Sequence, residues 1–120
     1  MFSVVALMLL SQQPVVPSWE GIASYYTVAS SSTLTASGET MSDGELTCAM
    51  RDGDFGTYYR VTADDGASVV VRLNDRGPYV EGRIIDLSEA AMRALDPSMT
   101  KGIMEVTVER IPETELESLP

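Results

Sequence analysis

"VVVRLNDRGPYVEGRIIDLS", residues 69–88, decides how this chain is read. Its two ends are rich in Val, Leu and Ile and suit strands, whereas "NDRGPYVEG" between them crowds charges, two glycines and a proline into a tight loop. Asp75 lies at the start of that loop, and Asp86 stands in the strand that follows it. A carboxylate on either side of one turn serves either chemistry or loop-building, and the rest of the chain has to separate the two.

Working outward, "TYYRVTA" (57–63) and "ASVVVRLN" (67–74) flank "DDG", where Asp65-Gly66 is a hairpin signal because both residue types tolerate positive φ. "LTCAM" (46–50) predicts a brief buried strand and "GIASYYTV" (21–28) another, separated by a Ser/Thr/Gly-rich stretch that is loop by composition. After "GRIIDL" (82–87), "SEAAMRAL" (88–95) predicts one short helix. Ser88 is its N-cap, Ala90, Ala91, Ala94 and Leu95 form its inner face, and Pro97 stops it. "GIMEVTVERI" (102–111) alternates wet and apolar positions as a last strand does. "PETELESLP" is acidic and lacks a core-facing pattern, so no structure is expected there. Five or six short strands and one helix predict a mainly β fold, a small barrel with the helix over one opening. Closure is expected because no strand carries edge protection apart from Pro78 in the loop.

The 120 residues allow one core. The expected division is a signal-like segment or N-terminal arm at 1–18, a barrel at 19–111 and an acidic tail at 112–120. The opening run "MFSVVALMLL" falls short of the roughly 20 apolar residues a membrane span needs. It is similar to the apolar part of a secretory signal but lacks a basic start, and its best cleavage candidate is "VPS", ending at Ser18. Export signal and unprocessed arm both stay open.

Eight Lys and Arg against eighteen Asp and Glu leave a net charge of -10, which argues against nucleic acid as a partner. One cysteine, Cys48, excludes an internal disulfide, and with no His in the chain it has no base to activate it as a nucleophile. Proton transfer must fall to carboxylates, Tyr, Lys or Cys. Asp52, Asp54, Asp64 and Asp65 lack the spacing of a calcium loop, so neither metal nor cofactor is expected.

The ordered motifs "GIASYYT", "TASGE", "LTCAM", "FGT", "YRVT", "SVVVRLNDRGPYVEGRIIDLSEAAMRAL" and "GIMEVTVE" resemble the rare lipoprotein A (RlpA) type of double-psi β-barrel, found in septal lytic transglycosylases. The resemblance covers residues 21–110. It implies a six-stranded barrel of two interlocked psi motifs whose open groove binds peptidoglycan glycan strands, a fold shared with membrane-bound lytic transglycosylase A and expansins. It further implies an acid at Glu39, a His at position 50, and functional carboxylates at Asp75 and Asp86. Position 50 is Met, which has no proton to exchange, so a mechanism needing that imidazole is lost.

In a lytic transglycosylase the sugar's own C6 hydroxyl attacks, so one carboxyl can act as acid and then as base. Asp86, flanked by Ile85 and Leu87, is the expected acid, with Asp75 and Glu39 assisting. Arg76 and Arg83 are near in sequence and work against a raised pKa at Asp86. Either Asp also has a bland role, accepting backbone N–H groups in a turn or capping the helix. Tyr25, Tyr26 and Tyr79 are candidates to stack on sugar rings, and Arg76 to bind substrate. Two other readings stay open: a non-catalytic, expansin-like glycan-binding module, and a phage or envelope structural component with partner chains. The first two place the protein in the periplasm, the envelope or outside the cell, and the third includes a virion.

Overall fold

Six strands appear in the computed structural model, which describes residues 16–31 and 33–119: β1 (Ser18–Tyr25), β2 (Thr47–Ala49), β3 (Tyr58–Ala63), β4 (Ser68–Asp75), β5 (Arg83–Leu87) and β6 (Met104–Arg110). They close in the order β1-β5-β2-β4-β3-β6. β1 pairs with β5, and β2 with β4, in parallel; the other four pairings are antiparallel. Two parallel crossovers within one closed sheet give the double-psi barrel that the resemblance implies.

Alternation builds the core. Val69, Val71 and Leu73 of β4 point inward, as do Met104, Val106 and Val108 of β6, while Glu105 and Thr107 face water. The β3–β4 hairpin forms at Asp65-Gly66: Gly66 takes φ +91°, and the Asp65 carboxylate accepts from the Ala67 amide at 2.9 Å.

Helix α1 (Glu89–Leu95) starts where expected, with the Ser88 hydroxyl accepting from the Ala91 amide at 3.3 Å. Its inner face differs from the expected one. Ala91, Met92 and Leu95 are buried and Ala94 is exposed, because the stripe follows the 3.6-residue period from the cap and takes in Met92.

Two boundaries also move. β1 begins at Ser18 and ends at Tyr25, since its first half is held by β6, Ser18 opposite Glu109 and Trp19 opposite Val108; pairing outweighs the poor strand propensity of Glu20 and Gly21. The tail is not structureless, for Glu113–Leu116 forms one helical turn. Arg60 holds Glu109 at 2.9 Å and Glu115 at 3.1 Å, and Leu116 and Leu119 border a cleft with Tyr58 and Val70. The acidic residues thus meet a basic partner from β3 that no local pattern reveals. Residues 1–15 of the signal-like segment lie outside the described residues.

Candidate active site

One rung of the barrel runs Ser24, Asp86, Ala49, Asp75 across β1, β5, β2 and β4. Residues in register on neighbouring strands project to the same side, so both carboxylates share a face with the small Ala49 between them. The flanking Ala23, Ile85, Leu87, Cys48 and Leu73 are all fully buried on the other side. The β2–β4 register shifts here, Cys48 opposite Leu73 and Ala49 opposite Asp75, passing over Asn74. Such a bulge re-aims the residue beside it.

Asp86 accepts from the Ser24 hydroxyl at 3.2 Å. Burial pushes its carboxyl pKa above the ordinary value; the Ser24 hydrogen bond and Arg83 oppose this, and Asp75 adds to it. Arg76, the other cation expected to act against it, is turned elsewhere. Its guanidinium donates to the Gly53 carbonyl at 2.7 Å and the Met50 carbonyl at 3.5 Å, and lies 4.1 Å over the Phe55 ring. Arg76, expected to bind substrate, therefore also braces the 50–55 loop, and these two bonds use only part of its five N–H donors.

Asp75 also serves its loop. One carboxylate oxygen accepts from the Ala36 amide at 2.8 Å and from the Arg76 amide at 2.9 Å, pinning the long loop after β1 to the end of β4. Glu39 comes to the same strand, where Arg72 grips it at 2.6 and 2.9 Å and the Asn74 amide donates at 3.1 Å. These bonds lower its pKa, so Glu39 is a fixed anion and unsuited to carry a proton.

Residues 18–108 match the family described as lytic transglycolase. The chain belongs to the lytic transglycolase family. Among named relatives, a probable endolytic peptidoglycan transglycosylase RlpA of Treponema pallidum is 40% identical over 107 residues, covering 88% of this chain and 33% of the relative. The endolytic peptidoglycan transglycosylase RlpA of Pseudomonas aeruginosa is 44% identical over 92 residues, covering 76% of this chain and 27% of the relative. The chain thus spans about a third or less of the curated relatives it matches. Two solved structures share the fold. A Streptomyces papain inhibitor superposes with TM-score 0.67 at 21% identity, over 82% of this chain and 98% of its own. An expansin from Clavibacter michiganensis gives 0.62 at 24%, over 81% and 52%.

Within this lytic transglycolase barrel, Met50 is only 9% exposed and belongs to the buried apolar cluster. Its amide donates to the Asp75 carbonyl at 3.3 Å, so the position expected to hold a His adjoins Asp75 through the backbone while its thioether packs inward. Tyr26 does not offer a sugar platform. It is 6% exposed, its hydroxyl is hydrogen-bonded to Thr47 at 2.8 Å, and burial pushes its pKa up to about 12. β1 ends one residue earlier, and the chain then turns this ring inward. Tyr25 is half-buried against the core, whereas Tyr79 is 76% exposed on the 76–82 loop and keeps a free ring face.

Three residues of interest escape a sequence reading. Ser24 reaches Asp86 through a strand pairing, and nothing local marks it. Trp19, which lines a cavity with the 50–55 loop, and Phe55, within that loop, are exposed aromatics whose residue type alone marks them. Among the described residues, no three Cys, Asp or Glu side chains converge as a metal site requires.

Proposed function

We propose that this barrel cleaves peptidoglycan glycan strands as a lytic transglycosylase, with Asp86 as its acid and base. The observation that carries the reading is a half-buried carboxyl with a raised pKa on a rung whose neighbouring side chain is only a methyl group. The higher the pKa of a carboxyl, the larger the share that keeps, at a given pH, a proton to deliver to the leaving glycosidic oxygen. As the bond from C1 breaks, the C6 hydroxyl of the same sugar attacks C1, and the Asp86 carboxylate takes the hydroxyl proton. The products are a free hydroxyl on the leaving sugar and a 1,6-anhydro ring, with no water consumed. Asp75 supplies negative charge beside the developing cation and fixes the loop over the rung. Glu39, held by Arg72, supports that loop rather than the proton transfer. Tyr79 and Tyr25 remain the stacking candidates, and the substrate places the activity in the cell envelope.

Incubation with purified sacculi tests this: soluble products carrying 1,6-anhydro ends, seen by mass spectrometry, are expected. A barrel that sediments with sacculi and releases nothing supports the second reading, glycan binding without turnover, which the apolar Met50 favours. The third expectation, an envelope or virion component, draws no support from the comparisons.

Ser24 sets the acid's working range. Its hydrogen bond lowers the Asp86 pKa, so Ser24→Ala raises it further. The alkaline limb of the pH–rate profile, where the acid loses its proton, is expected to move to higher pH, and the profile on sacculi reads this directly.

A further inference from the structure

The barrel end where β1 and β3 begin carries a cavity of about 200 Å³ that the proposed reaction does not use. Its apolar walls are Trp19, Met50, Tyr59 and Ile84, and its rim is Arg51, Asp52 and Gly53. The volume is below the ~300–1,000 Å³ of sites for drug-sized ligands, so it takes one ring-sized group and not an oligomer.

The walls are rigid before anything binds. Trp19 and Tyr59 lie tilted with centroids 6.2 Å apart, and Tyr59 is almost fully buried. Ile84 is seated against Gly21, where a Cβ would come within 2.7 Å of it. The 50–55 loop is braced by Arg76, which reaches both the Gly53 and Met50 carbonyls and stacks on Phe55. Trp19 is nonetheless 44% exposed while it lines the cavity.

The chemistry of this lining is an aromatic platform, a methyl-rich floor made by Met50 and Ile84, and a cation with a carboxylate at the mouth. We propose that the cavity holds one N-acetylhexosamine ring of the glycan strand, its apolar face on Trp19, its acetamido methyl over Met50 and Ile84, and its polar groups toward Arg51 and Asp52. This rests on the glycan-strand reading above and deepens it. The net charge of -10 disfavours an anionic occupant, and a neutral amide-bearing sugar avoids that cost. The cavity also adjoins the end of β4 that carries Asp75, since Met50 lines it and donates its amide to the Asp75 carbonyl. An imidazole at position 50 would put a polar group in this floor; the Met makes the cavity selective for the acetamido methyl.

Trp19 is the chain's one tryptophan, so its emission reports on this cavity alone. Titration of the intact protein with chitotetraose is expected to give a saturable emission change, and cellotetraose, which lacks acetamido groups, little or none. By calorimetry, Trp19→Ala is expected to bind chitotetraose about three- to tenfold more weakly, while Trp19→Phe stays close to wild type. Unchanged emission, or Trp19→Ala binding as tightly as wild type, overturns the proposal; an equal response to cellotetraose overturns its acetamido part. Sacculus digestion run in parallel separates the two claims. Anhydro products with unmoved emission leave the cleavage reading standing and sink this one, and an emission change without products does the reverse.

Discussion

Asp86→Asn is expected to reduce release of 1,6-anhydro products from sacculi by about 10²- to 10⁴-fold, the range a positioned general acid and base contributes. The amide keeps an oxygen to accept from Ser24 and nearly the same shape, but it can neither donate a proton to the leaving oxygen nor take one from the C6 hydroxyl. The loss should therefore fall on turnover, with sedimentation on sacculi unchanged. Stability should move the other way. Burial raises the folded-state pKa of Asp86 above its unfolded value, so the folded state binds the proton more tightly. Stability from this group is full at low pH and is lost as pH rises through the folded pKa. Above its folded pKa the wild type bears the cost of a charged carboxylate half removed from water; the neutral Asn does not. Its Tm is expected to gain on that of the wild type as pH rises, and the gap should close below about pH 4, where the carboxyl is neutral in both states. A variant that loses activity together with stability would mean that Asp86 acts as a structural residue.

Much of the barrel is legible locally. The alternating Val and Leu of β4, the Asp65-Gly66 turn and the Ser88 cap are each set by residues within a few positions, and each forms as read. Asp86 is legible too, because Ile85 and Leu87 beside it fix which face of β5 is buried. What stays hidden depends on pairing between distant segments. Ser24 meets Asp86 only because β1 lies parallel to β5, and Glu39 meets Arg72 only because the long loop folds back onto β4. Tyr26 shows how little separates the two outcomes: a strand that ends one residue early sends a ring into the core in place of the groove. The tail misleads for a related reason, as its charge suggests solvent until Arg60 is brought beside it.

The 50–55 loop yields the second large effect. Gly53→Ala is expected to destabilise the barrel by about 2–4 kcal/mol, combining roughly 1 kcal/mol or more for a side chain at positive φ with about 1–3 for overpacking. Gly53 has φ +103°, and a Cβ there would lie 2.7 Å from the Tyr59 hydroxyl oxygen and 3.0 Å from Leu73 Cδ2. Neither neighbour can yield cheaply, because Leu73 is fully buried and Tyr59 nearly so. Gly56 supplies the control within the same loop: it has φ +93°, but a Cβ would meet nothing within 4 Å. Gly56→Ala should therefore show the backbone part alone, and the difference between the two in urea or thermal unfolding isolates the packing part. For a domain of this size, a loss of 2–4 kcal/mol lowers Tm by on the order of 10 °C. Equal losses would mean that the loop moves aside without disturbing Tyr59. A larger loss at Gly53, joined by a weakened Trp19 response to chitotetraose, would tie the stability of this loop to the cavity it walls, since the Gly53 carbonyl is where Arg76 holds it.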